Sequence, residues 1–212
     1  MRYLYFSLLF LLTACGGGHH SGYIDGLNMN KPPADVQTCQ AFQGNYMPYG
    51  ALLYDKGNRP SLSGNDLAGL LMVAEILPQD VAAAVDVDSP VVIQGQEDKG
   101  VSLIFHLRDD RFHRINLSSM EAVFSPDAGY YGELADRYCA SGRWLYQWRY
   151  VASMAGEVFY TGHRAIVFFP EEGAIKVSVS IFDDTESGLF MVIPHHKSSM
   201  KETAIRLQAV QL

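Results

Sequence analysis

Residues 174–182 read Ala174-Ile175-Lys176-Val177-Ser178-Val179-Ser180-Ile181-Phe182, with Ile175, Val177, Val179 and Ile181 alternating against Lys176, Ser178 and Ser180. A period of two is that of a β-strand, whose successive side chains point to opposite faces. One face is expected to meet a core and the other water. Arg164 to Phe169, just before it, is apolar as well, and Pro170-Glu171-Glu172-Gly173 joins the two as a turn, since proline presets φ and glycine takes positive φ freely. From Pro90 onward short apolar runs alternate with turn chemistry at Gln96 to Gly100, Asp109-Asp110 and Asp183 to Gly188, and Ile205, Leu207 and Ala209 mark a last alternating strand. The pattern predicts an antiparallel meander of about seven to nine strands. Upstream, Asn65-Asp66 can cap a helix whose Leu67, Leu70, Leu71 and Ala74 follow helical spacing, and Pro78 closes it. The expected fold is therefore mainly β, a sandwich or partly open barrel with one short helix near the N-terminus.

The chain has 212 residues, 48% hydrophobic and 18% charged, the proportions of one globular domain with an appendage. Sixteen Lys and Arg stand against 23 Asp and Glu, a net charge of −7 with no basic block. That balance argues against a nucleic-acid partner.

Met1 and Arg2 begin the chain with positive charge, Tyr3 to Leu12 is apolar apart from Ser7, and Leu12-Thr13-Ala14-Cys15 follows. A membrane-crossing helix needs about 20 apolar residues, so this run reads as a cleaved signal peptide. Leu12 to Cys15, directly after the hydrophobic run, resembles the lipobox of bacterial lipoproteins. The resemblance implies diacylation of the Cys15 sulfur, cleavage ahead of it and acylation of the freed amine. With Gly16 rather than Asp next, it also implies sorting to the outer membrane. Several acyl chains on one residue would make the attachment effectively permanent. The expected organisation is a signal peptide over 1–14, lipidated Cys15 and a flexible tether over 15–35, and a single β-rich domain over 36–212. Gly16-Gly17-Gly18-His19-His20-Ser21-Gly22 is tether composition, in which His19 and His20 lack the fixed geometry of a metal site.

Once Cys15 is lipidated, Cys39 and Cys139 are an even pair in an oxidising compartment, so they are expected to be bonded, with free buried thiols as the alternative. Trp144, Tyr146, Trp148 and Tyr150 alternate with Arg143, Leu145, Gln147 and Arg149. A strand there aligns four aromatics on one side, either as core or as a surface for a ligand or partner.

The histidines supply a metal hypothesis. If Asp109-Asp110 form a two-residue turn, His106 falls opposite His113, about 5 Å away. Zinc needs three or four protein ligands, and only His195 or His196 offers a third, so a solvent-side histidine pair is the simpler reading. Other chemical patterns dissolve on inspection. Ser198-Ser199-Met200-Lys201 matches S-x-x-K without its companion motifs, and Asp183 to Gly188 begins like a calcium loop whose bidentate glutamate position is Pro194. No catalytic residue is nominated and no cofactor is implied.

Two further resemblances concern the domain. Cys39-Gln40-Ala41-Phe42-Gln43-Gly44-Asn45-Tyr46 with Pro60-Ser61-Leu62-Ser63 is similar to the opening of certain proteobacterial lipoproteins. Gly44-Asn45-Tyr46 also resembles the G-x-W that opens lipocalins, Tyr replacing Trp, with Arg206 on the last strand where that family places a base across the aromatic. The expected function is a membrane-anchored, non-enzymatic envelope lipoprotein that binds a protein or cell-wall partner. The alternative, implied by the lipocalin resemblance, is a carrier of an apolar ligand.

Overall fold

The computed structural model describes residues 23–24, 27–28, 39–57, 65–97, 99–118, 130–154, 158–189 and 193–211. At 23–24, 27–28, 130–138, 149–154, 158–161, 184–189 and 193–198 it describes the backbone alone. The elements are β1 (Tyr23–Ile24), β2 (Leu27–Asn28), β3 (Phe42–Tyr46), β4 (Ala51–Gly57), α1 (Leu67–Val73), α2 (Gln79–Ala84), β5 (Val91–Gln96), β6 (Gly100–His106), β7 (Phe112–Asn116), β8 (Tyr130–Ala140), β9 (Arg143–Met154), β10 (Val158–Glu171), β11 (Ala174–Leu189) and β12 (Ile193–Gln208). A four-stranded sheet, β3-β5-β6-β7, and a six-stranded sheet, β4-β12-β11-β10-β9-β8, are both antiparallel. Their apolar faces share one core, which makes the fold a β sandwich with short helices. A two-stranded ladder, β1-β2, lies within the stretch expected to be tether, and β1 rests against β11.

The meander from β8 to β12 follows the alternation of the sequence. Ile175, Val177, Val179 and Ile181 are fully buried on its inner face. The outer face is a correction: Ser178 and Ser180, expected in water, are buried too. The reason lies in what surrounds them, since Ala140, Leu145, Ala165 and Val167 form a second apolar cluster on that side. A second correction concerns Asp183 to Gly188, which is not a turn but the continuation of β11 between full-length β10 and β12. Ladder bonds on both sides outweigh the turn propensity of Asp, Ser and Gly.

Asp66 caps α1 by accepting a hydrogen bond from the Gly69 amide, and Leu67, Leu70 and Leu71 are buried. α1 ends at Val73, before Pro78, and Pro78, expected to close that helix, is instead the N-cap of a second, unexpected helix, α2, a position whose amide has no partner within the helix to lose. Between the helices the Ile76 and Leu77 amides both bond to the Leu71 carbonyl, at 2.8 and 3.1 Å. Glu75 thereby adopts φ 60°, a position where glycine is usual.

The Cys39–Cys139 disulfide, with Cα atoms 5.3 Å apart, ties the segment before β3 to β8 and so joins the two sheets. Tyr146 makes a second link, its hydroxyl accepting from the Val101 amide at 2.7 Å. Tyr46 is buried, which pushes its phenol up, and Arg206 lies on the other face of β12, where it pairs with Glu171 at 2.8 Å.

Candidate functional site

Register and alternation place Lys201, Ile181, Arg164 and Trp148 in one row across the inner face of the six-stranded sheet. Two members of that row are charged, and both are buried. Arg164 Nη1 donates to Asp183 Oδ1 at 2.6 Å, with both side chains 3% exposed, and Nη2 reaches Glu75 Oε2 at 3.2 Å. Lys201 Nζ meets Asp55 Oδ2 at 2.7 Å, and Thr203 donates to Asp55 Oδ1 at 2.6 Å. Burying ions is costly unless each has a partner and further hydrogen bonds, and among the described residues this row is where the apolar core gives way to charge. Trp148 stands beside Arg164 with its indole N–H buried and with no hydrogen-bond partner for it among the described residues.

At the edge of the row the α1–α2 corner forms an open cleft of about 420 Å³ lined by Met72, Glu75, Leu77, Pro78 and Gln79. Leu77 is buried, whereas the Glu75 side chain is 49% exposed although it pairs with the buried Arg164. Glu75 therefore connects the cleft to the charges beneath it.

No family model, curated protein or solved structure matches the chain. Its chemistry has to be read from its own side chains.

The aromatic stripe is core at three of its four positions. Trp144, Tyr146 and Trp148 are 5%, 2% and 2% exposed, so they form no ligand or partner surface; the Tyr150 side chain lies outside the described residues. Leu145 and Gln147, on the opposite face of the same strand, are buried as well, with the Gln147 amide 3.0 Å from His163 Nδ1.

The histidine pair does not form. The Leu107 amide bonds to the Arg111 carbonyl and the Asp110 amide to the Leu107 carbonyl, with Asp110 at φ 61°, so the loop holds three residues rather than two. The register slips by one and pairs His106 with Phe112 and His113 with Phe105. A one-residue slip sends the two imidazoles to opposite faces. His106 instead stacks edge-on with Phe112 at 5.0 Å and lies 3.6 Å from Asp86. The Ser89 hydroxyl, bonded at 2.6 Å, is the main cause holding the Asp86 carboxyl below its usual range. Among the described residues no group of three His, Cys, Asp or Glu is placed to hold a metal ion.

Cys15, His19 and His20 lie outside the described residues, as do the side chains of His195, His196 and Ser198. Lys201, the last residue of the S-x-x-K match, is the partner of Asp55. The charges at the edge of the core, Arg164, Asp183, Lys201 and Asp55, were missed as a group by sequence reasoning. A signal for them exists: Arg164 shares the parity of Ile166 and Phe168, and Lys201 that of Ile205 and Leu207. A charge at a core position calls for a buried partner.

Proposed function

We propose that the protein is a membrane-anchored envelope lipoprotein that binds a protein or cell-wall partner and catalyses no reaction. The observation that carries the reading is the Cys39–Cys139 bridge. It suits an oxidising compartment and uses two of the three cysteines, leaving Cys15 at the end of the hydrophobic run as the thiol for lipid. A lipid anchor on Cys15 keeps the domain at one membrane and favours partners within tether reach. The Gly-rich stretch after Cys15 supplies that reach.

The test is processing and location. Globomycin, which blocks lipoprotein signal peptidase, is expected to accumulate a larger precursor, and Cys15→Ser is expected to abolish lipid labelling and membrane retention. A Cys15→Ser protein that is still cleaved and still membrane-bound overturns the anchor. Crosslinking of intact envelopes followed by capture of the chain then identifies the partner.

A further inference from the structure

We infer that the β1–β2 hairpin, Tyr23 to Asn28, is a strap docked on the outer face of the six-stranded sheet and not part of a free tether. That face needs a cover. Leu145, Gln147, Ala165 and Ser178 are all 0% exposed on it. Among the described residues the apolar cluster there, which adds Ala140 and Val167, draws on β8, β9 and β10 alone. A single sheet does not keep water from its own second face, so a further layer has to lie across it.

The position of β1 suits that layer. Its Cα atoms come within 8 Å of those of β11. From Ala174 to Ser187, β11 is paired with β10 on one edge and with β12 on the other, so β1 meets it across a face and not as an added strand. The inner face of β11 is taken up by the core shared with the helices and the four-stranded sheet, where Ile175, Val177, Val179 and Ile181 are buried. The outer face carries Ser178 and Ser180. Such small side chains let a second backbone lie closer than the roughly 10 Å of ordinary stacked sheets.

The hairpin in turn needs a support. Its ladder consists of Tyr23 paired with Asn28 and Ile24 paired with Leu27. A two-stranded ladder that short does not persist in water by itself and calls for an apolar surface to rest on. Tyr23, Ile24 and Leu27 also set it apart in composition from the Gly, His and Ser residues that precede it. Docking shortens the free link. From Cys15 to Tyr23 is eight residues, at most about 26 to 29 Å of extended chain. Lipid on Cys15 would then hold the strap, and with it the outer face, within that distance of the membrane; this consequence rests on the anchor reading above, whereas the docking does not.

The test is hydrogen exchange on the full chain carrying Cys15→Ser, which has no lipid, so that docking is read apart from anchoring. The amides of 23–28 are expected to exchange at least about tenfold more slowly than in a free peptide of the same sequence, because an undocked ladder opens freely. Ser180→Trp fills the room that the strap occupies and is expected to abolish this protection while the amides of β5 and β6 keep theirs. Should Ser180→Trp fail to fold, a benzophenone side chain introduced in place of Ile24 serves instead, with light-driven crosslinks expected within 145–147, 165–167 or 176–182. Exchange over 23–28 at the peptide rate, protection retained in folded Ser180→Trp, or crosslinks absent from those three segments overturns the inference.

Discussion

Trp148 and Arg164 are neighbours on adjacent strands, and each shows how a side chain is used at the edge of the core. Trp148→Ala removes a side chain that is 2% exposed and is expected to cost about 3 to 5 kcal/mol, read as a lowered midpoint in denaturant. A thermal midpoint within a degree or two of the parent would contradict this placement. Arg164→Met removes the guanidinium that pairs with the buried Asp183 carboxylate and is expected to cost on the order of 3 to 5 kcal/mol, whereas Arg164→Met combined with Asp183→Leu should recover much of that loss. Ser89→Ala removes the main hydrogen bond that holds the Asp86 carboxyl low, so its pKa should rise toward the ordinary aspartate range in an NMR pH titration. A group held low in the folded state stabilises above its unfolded pKa and loses that contribution as pH falls through the folded one, so the variant should lose acid tolerance. At this scale the aromatic stripe is legible in the sequence because alternation is local. The partners of Arg164 are not, since Glu75 lies 89 residues away.

Turns decide register, and at this level small differences have large effects. Ser141 and Gly142, at φ 51° and 75°, form the two-residue link of β8 to β9, both in the left-handed region that such hairpins require. Gly142→Ala is expected to cost about 1 to 2 kcal/mol from backbone conformation, because an added Cβ would meet only Phe169 Cε2 at 3.6 Å. Gly100→Ala should cost more, since at φ 75° its Cβ would also collide with the Ser118 and Tyr146 hydroxyls. Chemical denaturation of the two variants checks the order; equal losses would mean that the crowding at Gly100 relaxes. The sequence locates the β6–β7 turn but suggests a loop of two residues where the chain uses three. The length depends on Asp110 accepting a left-handed conformation, which composition does not announce.

Across the whole molecule the disulfide joins positions 100 residues apart. Closing a loop of that size lowers the entropy of the unfolded chain by an amount worth about 4 to 5 kcal/mol in the chain-entropy model. Native mass spectrometry should find the bridged protein about two daltons lighter than its reduced form, and reduction should lower the denaturation midpoint. Two alkylatable thiols in the unreduced domain would contradict the bridge. The even pair of cysteines, read with the hydrophobic run that precedes Cys15, makes this link legible in the sequence alone. That it joins the two sheets is not legible there, because the partition of strands between sheets is set by contacts distant in sequence.

Composition, a period of two and turn residues by themselves determined that this chain is mainly β and where three of its hairpins turn, and Cys39 and Cys139 became the expected pair once Cys15 was set aside for lipid. Those signals are local or are simple counts, so they need no knowledge of neighbours in space. Only the tertiary structure decided that Asp183 to Gly188 continues a strand, that Ser178 and Ser180 are buried, and that Arg164, Asp183 and Glu75 meet beside a cleft. The physical reason is the same in each case. A strand's length, the burial of its second face and the partner of a buried charge depend on energies supplied by segments far along the chain.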